Sequence, residues 1–307
     1  MNKIQYSFNR DCPSCRASTS KNIVIATDRK PYNCGDEDVR NMWSGFYKEK
    51  VLFDHVECKN CGLIYSKDYF QETSLMPLYA SMAPNMDMVP EALLKKTQQN
   101  YMDVFNRNYT VEEGAYFELG ADVGYIVEEA AKHTKFGKFY IVEPNIDVHQ
   151  QLKNKLYKHD HRIYKSVDGL DEIEDESLSL VVMIHVLDHL LEPRSILHKI
   201  YSKLKVDGKI LIVTHDQSSL MAKILKNKWP AYCLQHPHLF SPRTIKKMAN
   251  ISGYSKCTVI KSKNYFTIGF LIEQLFWIAK IKISLRNGIF GRSIGLKLGN
   301  ILTVVTK

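Results

Sequence analysis

Acidic side chains all but disappear from the last third of this chain: beyond Asp216 the only one is Glu273, set against 15 lysines and arginines. The first 110 residues are almost neutral (+1), and the stretch from there to Asp216 is acidic (−6), so the overall excess of +9 comes from the C-terminal part. That surface should attract phosphates, anionic lipid or nucleic acid. Also missing is any run of about 18 uncharged apolar residues, and the opening "MNKIQYSFNR" has no apolar core of signal-peptide length. Membrane spanning and secretion are therefore not expected, and the cytoplasm is the expected compartment. An even cysteine count is absent too: the seven cysteines of a chain without a secretory leader argue against a disulfide framework.

What is present is a 307-residue chain, 45% hydrophobic and 24% charged, long enough for one large domain and a small one. Four cysteines fall into two C-x-x-C pairs, Cys12 with Cys15 and Cys58 with Cys61. Two intervening residues let both sulfurs point to one side of a tight turn, for which Pro13 and Gly62 supply the geometry. Two such knuckles offer four thiolates at tetrahedral zinc distance, a zinc ribbon in which no coordination position is left open for chemistry. The 42 residues between Cys15 and Cys58 must then leave the site and return to it.

After a helical stretch at about 91–108 the pattern alternates between strands and helices. "AYFELG", "KFYIVEP", "HRIYKS", "LSLVVMIHV" and "GKILIVTH" read as strands, with amphipathic helices between them, which implies a mostly parallel sheet covered on both faces. In such a sheet the ligand lies above the C-terminal strand ends, where "GADVG" joins the first strand to its helix. Gly120 permits a tight turn, Gly124 opens the helix, and Glu143 stands 23 residues beyond Gly120, placed to accept hydrogen bonds from ribose hydroxyls.

On these residues the sequence resembles the class I S-adenosylmethionine-dependent methyltransferases over roughly 111–307. The family loop, acid-x-Gly-x-Gly-x-Gly, is met by Glu118, Gly120, Asp122 and Gly124, with aspartate at the middle glycine. The resemblance implies that Glu118 organises the loop around the methionine end, that Ala121 and Asp122 belong to it, that Glu143 holds the ribose, and that Asp168 of "VD" lies beside adenine. "MIHVLDHLLEP" is similar to the family's His-Val-Leu-Glu-His stretch, with Asp188 for glutamate, and "GNILTVVTK" looks like its antiparallel last strand. A carboxylate at 122 would repel a pyrophosphate but suits an ammonium and a sulfonium, so the methyl donor is expected and NAD is not. Doubled cysteine knuckles also precede this domain in family members acting on nucleotide sugars and other small molecules.

The fold class expected is thus α/β: a Rossmann-like seven-stranded sheet, mostly parallel with an antiparallel last strand, preceded by a small zinc ribbon. The divisions are 1–75 for the ribbon, 76–110 for a helical linker and 111–307 for the catalytic domain, with an apolar helical insertion at 265–292. Histidines supply the candidate base: His185 and His189 beside a strand end, His236 and His238 in "QHPHLF". Metal binding by these four is an open alternative, but no carboxylate is spaced from them as on zinc-binding helices, so no metal is assigned to them. The expected acceptor is a small anionic molecule such as a nucleotide-activated sugar, its phosphates met by the basic tail. An RNA methyltransferase and a non-catalytic binding protein are the alternatives, and the near-neutral ribbon weighs against nucleic acid. Contact with a membrane surface through 265–286 and a homodimer are the further readings for partners.

Overall fold

The structure, a computed structural model, describes residues 3–43, 51–82, 89–133, 135–278, 285 and 288–307. Its main sheet has seven strands in the spatial order Lys256–Lys261, Asn300–Thr306, Leu204–His215, Leu178–Ile184, Gly114–Leu119, Phe136–Val142, Asp160–Tyr164. Asn300–Thr306 runs antiparallel to both of its neighbours, and every other pairing is parallel. The last strand is therefore inserted antiparallel, as expected. The strand Leu178–Ile184 shows why the sheet is buried on both faces: Val181 and Met183 enter one core cluster, Leu180 and Val182 the other. Alternation of side chains across the pleat makes one apolar strand serve two layers.

The order reverses between Gly114–Leu119 and Leu178–Ile184, so the crevice at their C-terminal ends is the switch point where ligands settle in open α/β sheets. Helix Glu91–Asn108 packs Tyr101, Met102 and Phe105 into the core on one face. On the other face lies helix Pro242–Ile251, which begins sharply because Ser241 and Thr244 form a reciprocal capping box ahead of Pro242.

The cysteine-bearing part builds an antiparallel sheet of Ser20–Ile25, His55–Cys58 and Ile64–Ser66, completed by His238–Leu239 from the C-terminal half. Cys12, Cys58 and Cys61 share a core cluster with Leu187, Phe240 and Ile245, so the knuckles pack against one face of the main sheet. One expectation needs correction. Residues 264–267 form a strand paired with Ser293–Leu296, and the apolar helix begins only at Ile268 and is described to Ile278. That insertion docks on the Glu91–Asn108 helix: Tyr101 Oη donates to Asn264 Oδ1 at 2.9 Å, and Tyr265 N to Thr97 Oγ1 at 2.9 Å. The basic Lys280, Lys282 and Arg286 at its far end lie outside the described residues.

Candidate functional site

The glycine loop leaves the first sheet strand at Leu119 with three left-handed residues: Gly120 at φ +74°, Asp122 at +48° and Gly124 at +78°. Aspartate is among the few side chains that tolerate this region, which is how it can occupy a glycine position without breaking the loop. Gly120 has a second reason to lack a side chain: a Cβ there would meet Val186 Cγ2 at 2.5 Å. The loop is thereby pressed against the turn that carries His185 and Asp188. Ala121 is buried in it, its carbonyl accepting the Gly124 amide at 2.8 Å.

Glu143 ends the second sheet strand beneath this loop. Its Oε2 accepts the Asp122 amide at 2.7 Å and its Oε1 the Asn145 amide at 2.9 Å, which leaves each oxygen a further lone pair for a ligand hydroxyl. Burial raises its carboxyl above the usual range despite those donors. Glu118 is deeper: burial, with the nearby Glu143 and Asp122, pushes it up to about 8 against the hydrogen bond from Tyr116 Oη at 2.5 Å. Three carboxylates crowded in this way favour a cationic ligand, which would relieve their repulsion. Asp168 lies on the turn after the strand Asp160–Tyr164, exposed, with Ser166 Oγ donating to its Oδ2 at 2.8 Å.

The histidines gather at the neighbouring strand ends. His185 follows Ile184, and His215 closes Leu204–His215. Between them stands Asp188, fully buried, with Oδ2 accepting His215 Nδ1–H at 2.8 Å and the His215 amide at 3.3 Å. Burial opposes ionisation of Asp188, yet His215 and the surrounding imidazoles hold its carboxyl well below the ordinary range. His189 and His236 bring their Nε2 atoms to 2.9 Å, while His236 Nδ1 donates to the Ala231 carbonyl at 2.6 Å. Burial lowers His185 to about 3 and lowers His215 and His189 as well. On His236 burial acts in the same direction, but Cys233 beside it prevails and the group stands at about 9.

His238 is set apart from this group. It is fully buried in its two-residue strand, with Nε2 on the Leu187 carbonyl at 3.0 Å, and burial lowers it to about 3. His215 and the role of Asp188 were not legible in the sequence, since both depend on strand ends brought together from 27 residues apart. The one local signal was a histidine closing the apolar run "KILIVTH". Nor did the sequence show that the N-terminal part walls the site: the Tyr79 ring stacks on His189 with centroids 5.8 Å apart, and Asn145 Nδ2 donates to the Met82 carbonyl at 3.0 Å.

The four cysteines converge as expected. Cys12 and Cys61 place their sulfurs 3.5 Å apart, as do Cys15 and Cys58, and all four lie within 4.8 Å of one another. The knuckles are near copies: Cys12 N and Cys58 N donate to the carbonyls of Ala17 and Leu63, and Arg16 N and Gly62 N to those of Cys12 and Cys58.

A family model described as a methyltransferase domain matches residues 93–259, more than half of the chain. A highly reducing polyketide synthase of Talaromyces stipitatus is 31% identical over 112 residues, covering 34% of this chain and only 4% of that protein's length. Among solved structures, a SAM-dependent methyltransferase from Archaeoglobus fulgidus aligns at 15% identity and TM-score 0.48, over 71% of this chain and 95% of that one. The N-methyltransferase NodS from Bradyrhizobium japonicum, in complex with S-adenosyl-L-homocysteine, aligns at 9% identity and TM-score 0.46, over 76% and 96%. With the family model spanning most of the sheet, and the strand order and acid–glycine loop in place, this chain belongs to the S-adenosylmethionine-dependent methyltransferases.

Proposed function

We propose that the protein methylates a small anionic acceptor, such as a nucleotide-activated sugar or a precursor of a surface glycan or secondary metabolite, with His215 as the base. The observation that carries this is the His215–Asp188 pair: Asp188 fixes the Nδ1–H tautomer and leaves Nε2 as the proton acceptor at the C-terminal end of a sheet strand. When bound, S-adenosylmethionine supplies an electrophilic methyl on a sulfonium. Glu143 is suited to hold the ribose hydroxyls, and Glu118 and Asp122 to face the cationic methionine end. His215 Nε2 takes the acceptor's proton as the nucleophile attacks in line, and Asp188 stabilises the imidazolium that results.

His185 and His189 line the same turn and orient the acceptor, whereas His238 ties the QHPHLF strand to the Asp188 turn from behind. The excess of basic residues beyond Asp216 supports an acceptor bearing phosphate, and the polyketide synthase match keeps secondary-metabolite precursors in view. Zinc fits the cysteine cluster: tetrahedral bonds of about 2.3 Å place sulfurs about 3.8 Å apart, close to the spacing found. Its work there is structural, because the ion would hold together the sheet that His238–Leu239 completes.

The test is transfer of labelled methyl from S-adenosylmethionine to a panel of sugar nucleotides and to RNA across a salt series. A sugar nucleotide should be methylated with a shallow salt dependence; transfer to RNA alone, falling steeply with salt, would overturn the acceptor class.

A further inference from the structure

A second metal site is built into the histidine cluster. We propose that Asp188, His189 and His236 hold one divalent transition-metal ion beside the methyl-transfer site, separate from the ion of the four cysteines. One donor atom from each of these residues lies within 4.8 Å of the other two. Their arrangement carries the marks of a ligand set. The two Nε2 atoms face each other at 2.9 Å, close to the separation of about 3.0 Å between two nitrogens bound at right angles with bonds of about 2.1 Å. His236 donates Nδ1–H to the Ala231 carbonyl, the outer contact that turns Nε2 toward a metal, and the ion would displace the proton that Cys233 favours on that imidazole.

Asp188 is the independent observation. It is fully buried, its Oδ2 is oriented by His215 and lies 4.0 Å from His236 Nε2, and its Oδ1 has no hydrogen-bond partner among the described residues. A buried carboxylate oxygen without a partner is costly, and a cation satisfies it. Two imidazoles and one carboxylate leave open positions, and nitrogen and oxygen donors of this type suit iron(II), cobalt(II), nickel(II) or zinc(II). An acceptor oxygen entering an open position would become more acidic, easing proton loss to His215. That last role rests on the proposed function; binding of the ion does not.

The experiment uses the full chain, stripped of metal and titrated with cobalt(II). The spectrum separates thiolate charge-transfer bands from the weaker bands of a nitrogen and oxygen site. The parent should take up about two equivalents, and Asp188→Asn and His189→Gln about one each with the thiolate bands intact. Uptake of one equivalent by the parent would overturn the proposal, as would a second equivalent that persists in both variants. Loss of that equivalent in His185→Gln with retention in His189→Gln would also overturn it, by assigning the ion to His185, Asp188 and His215 instead. Binding of S-adenosylmethionine, measured on the same samples, reports on the function independently of the metal.

Discussion

His215 illustrates how one hydrogen bond sets a residue's chemistry. With burial lowering its proton affinity and Asp188 holding its tautomer, the imidazole is favoured in the neutral form that the proposed base requires. His215→Ala should reduce kcat by about 10²–10⁴-fold with cofactor affinity retained. The acid limb of the parent's kcat/KM profile should fall below the ordinary imidazole value of about 6.5, because the neutral form persists beneath it. A profile breaking above that value would contradict the assignment. A second titration bears on stability. Burial lowers His55 to about 4, so between about 6.5 and 4 the unfolded chain binds a proton that the folded one refuses. Its contribution is complete above 6.5 and is lost as pH falls. Urea unfolding of His55→Gln should therefore lose up to about 1.4 kcal/mol per pH unit of the parent's slope across that window; an unchanged slope would show that His55 is not buried neutral. At this scale the sequence spoke clearly where a residue answers to its neighbours in the chain. The loop at Gly120 and Asp122 and the place of Glu143 at a strand end were readable from spacing, whereas His215 with Asp188 and Tyr79 on His189 were not, because each pair is made by tertiary contact and not by the local chain.

Among the elements, the two-residue strand His238–Leu239 has the widest consequence. It pairs with Ile64–Ser66 and joins the cysteine knuckles to the loop that carries His236. Chelating the zinc proposed for the four cysteines should therefore lower turnover as well as N-terminal stability, since structural zinc supplies folding free energy directly. Activity that survives zinc removal, in protein shown to be metal-free, would contradict the coupling. The insertion makes a different demand. Its strand Asn264–Thr267 is tied to the Glu91–Asn108 helix by Thr97 and Tyr101, so Thr97→Val should cost about 1 kcal/mol and speed hydrogen exchange in 264–267 selectively. Equal exchange in parent and variant would show that the docking is not carried by this bond. Most of the five parallel strands were visible in the sequence because they carry apolar runs such as FYIV, LVVMI and ILIV. The insertion was misread as helix from 265 because its strand is as apolar as the helix that follows, and composition alone does not separate the two periods.

At the scale of the molecule, the mostly parallel sheet and its antiparallel last strand followed from the alternation of elements together with a family resemblance. The intimacy of the N-terminal part with the site did not, because cysteine spacing says which sulfurs meet and nothing of what the rest of the segment touches. Helix Glu72–Ala80 brings Tyr79 to His189, so the histidine cluster adjoins both the N-terminal segment and the turn pressed against the glycine loop. Everything proposed about this site depends on the donor it accepts. The most direct measurement is calorimetric titration of S-adenosylmethionine and NAD into the parent and into Glu143→Ala. The account predicts micromolar binding of S-adenosylmethionine, weakened by about 1–3 kcal/mol in the variant through loss of charge-assisted hydrogen bonds, and no binding of NAD. Equal affinity of parent and variant for S-adenosylmethionine, or binding of NAD in its place, would contradict it.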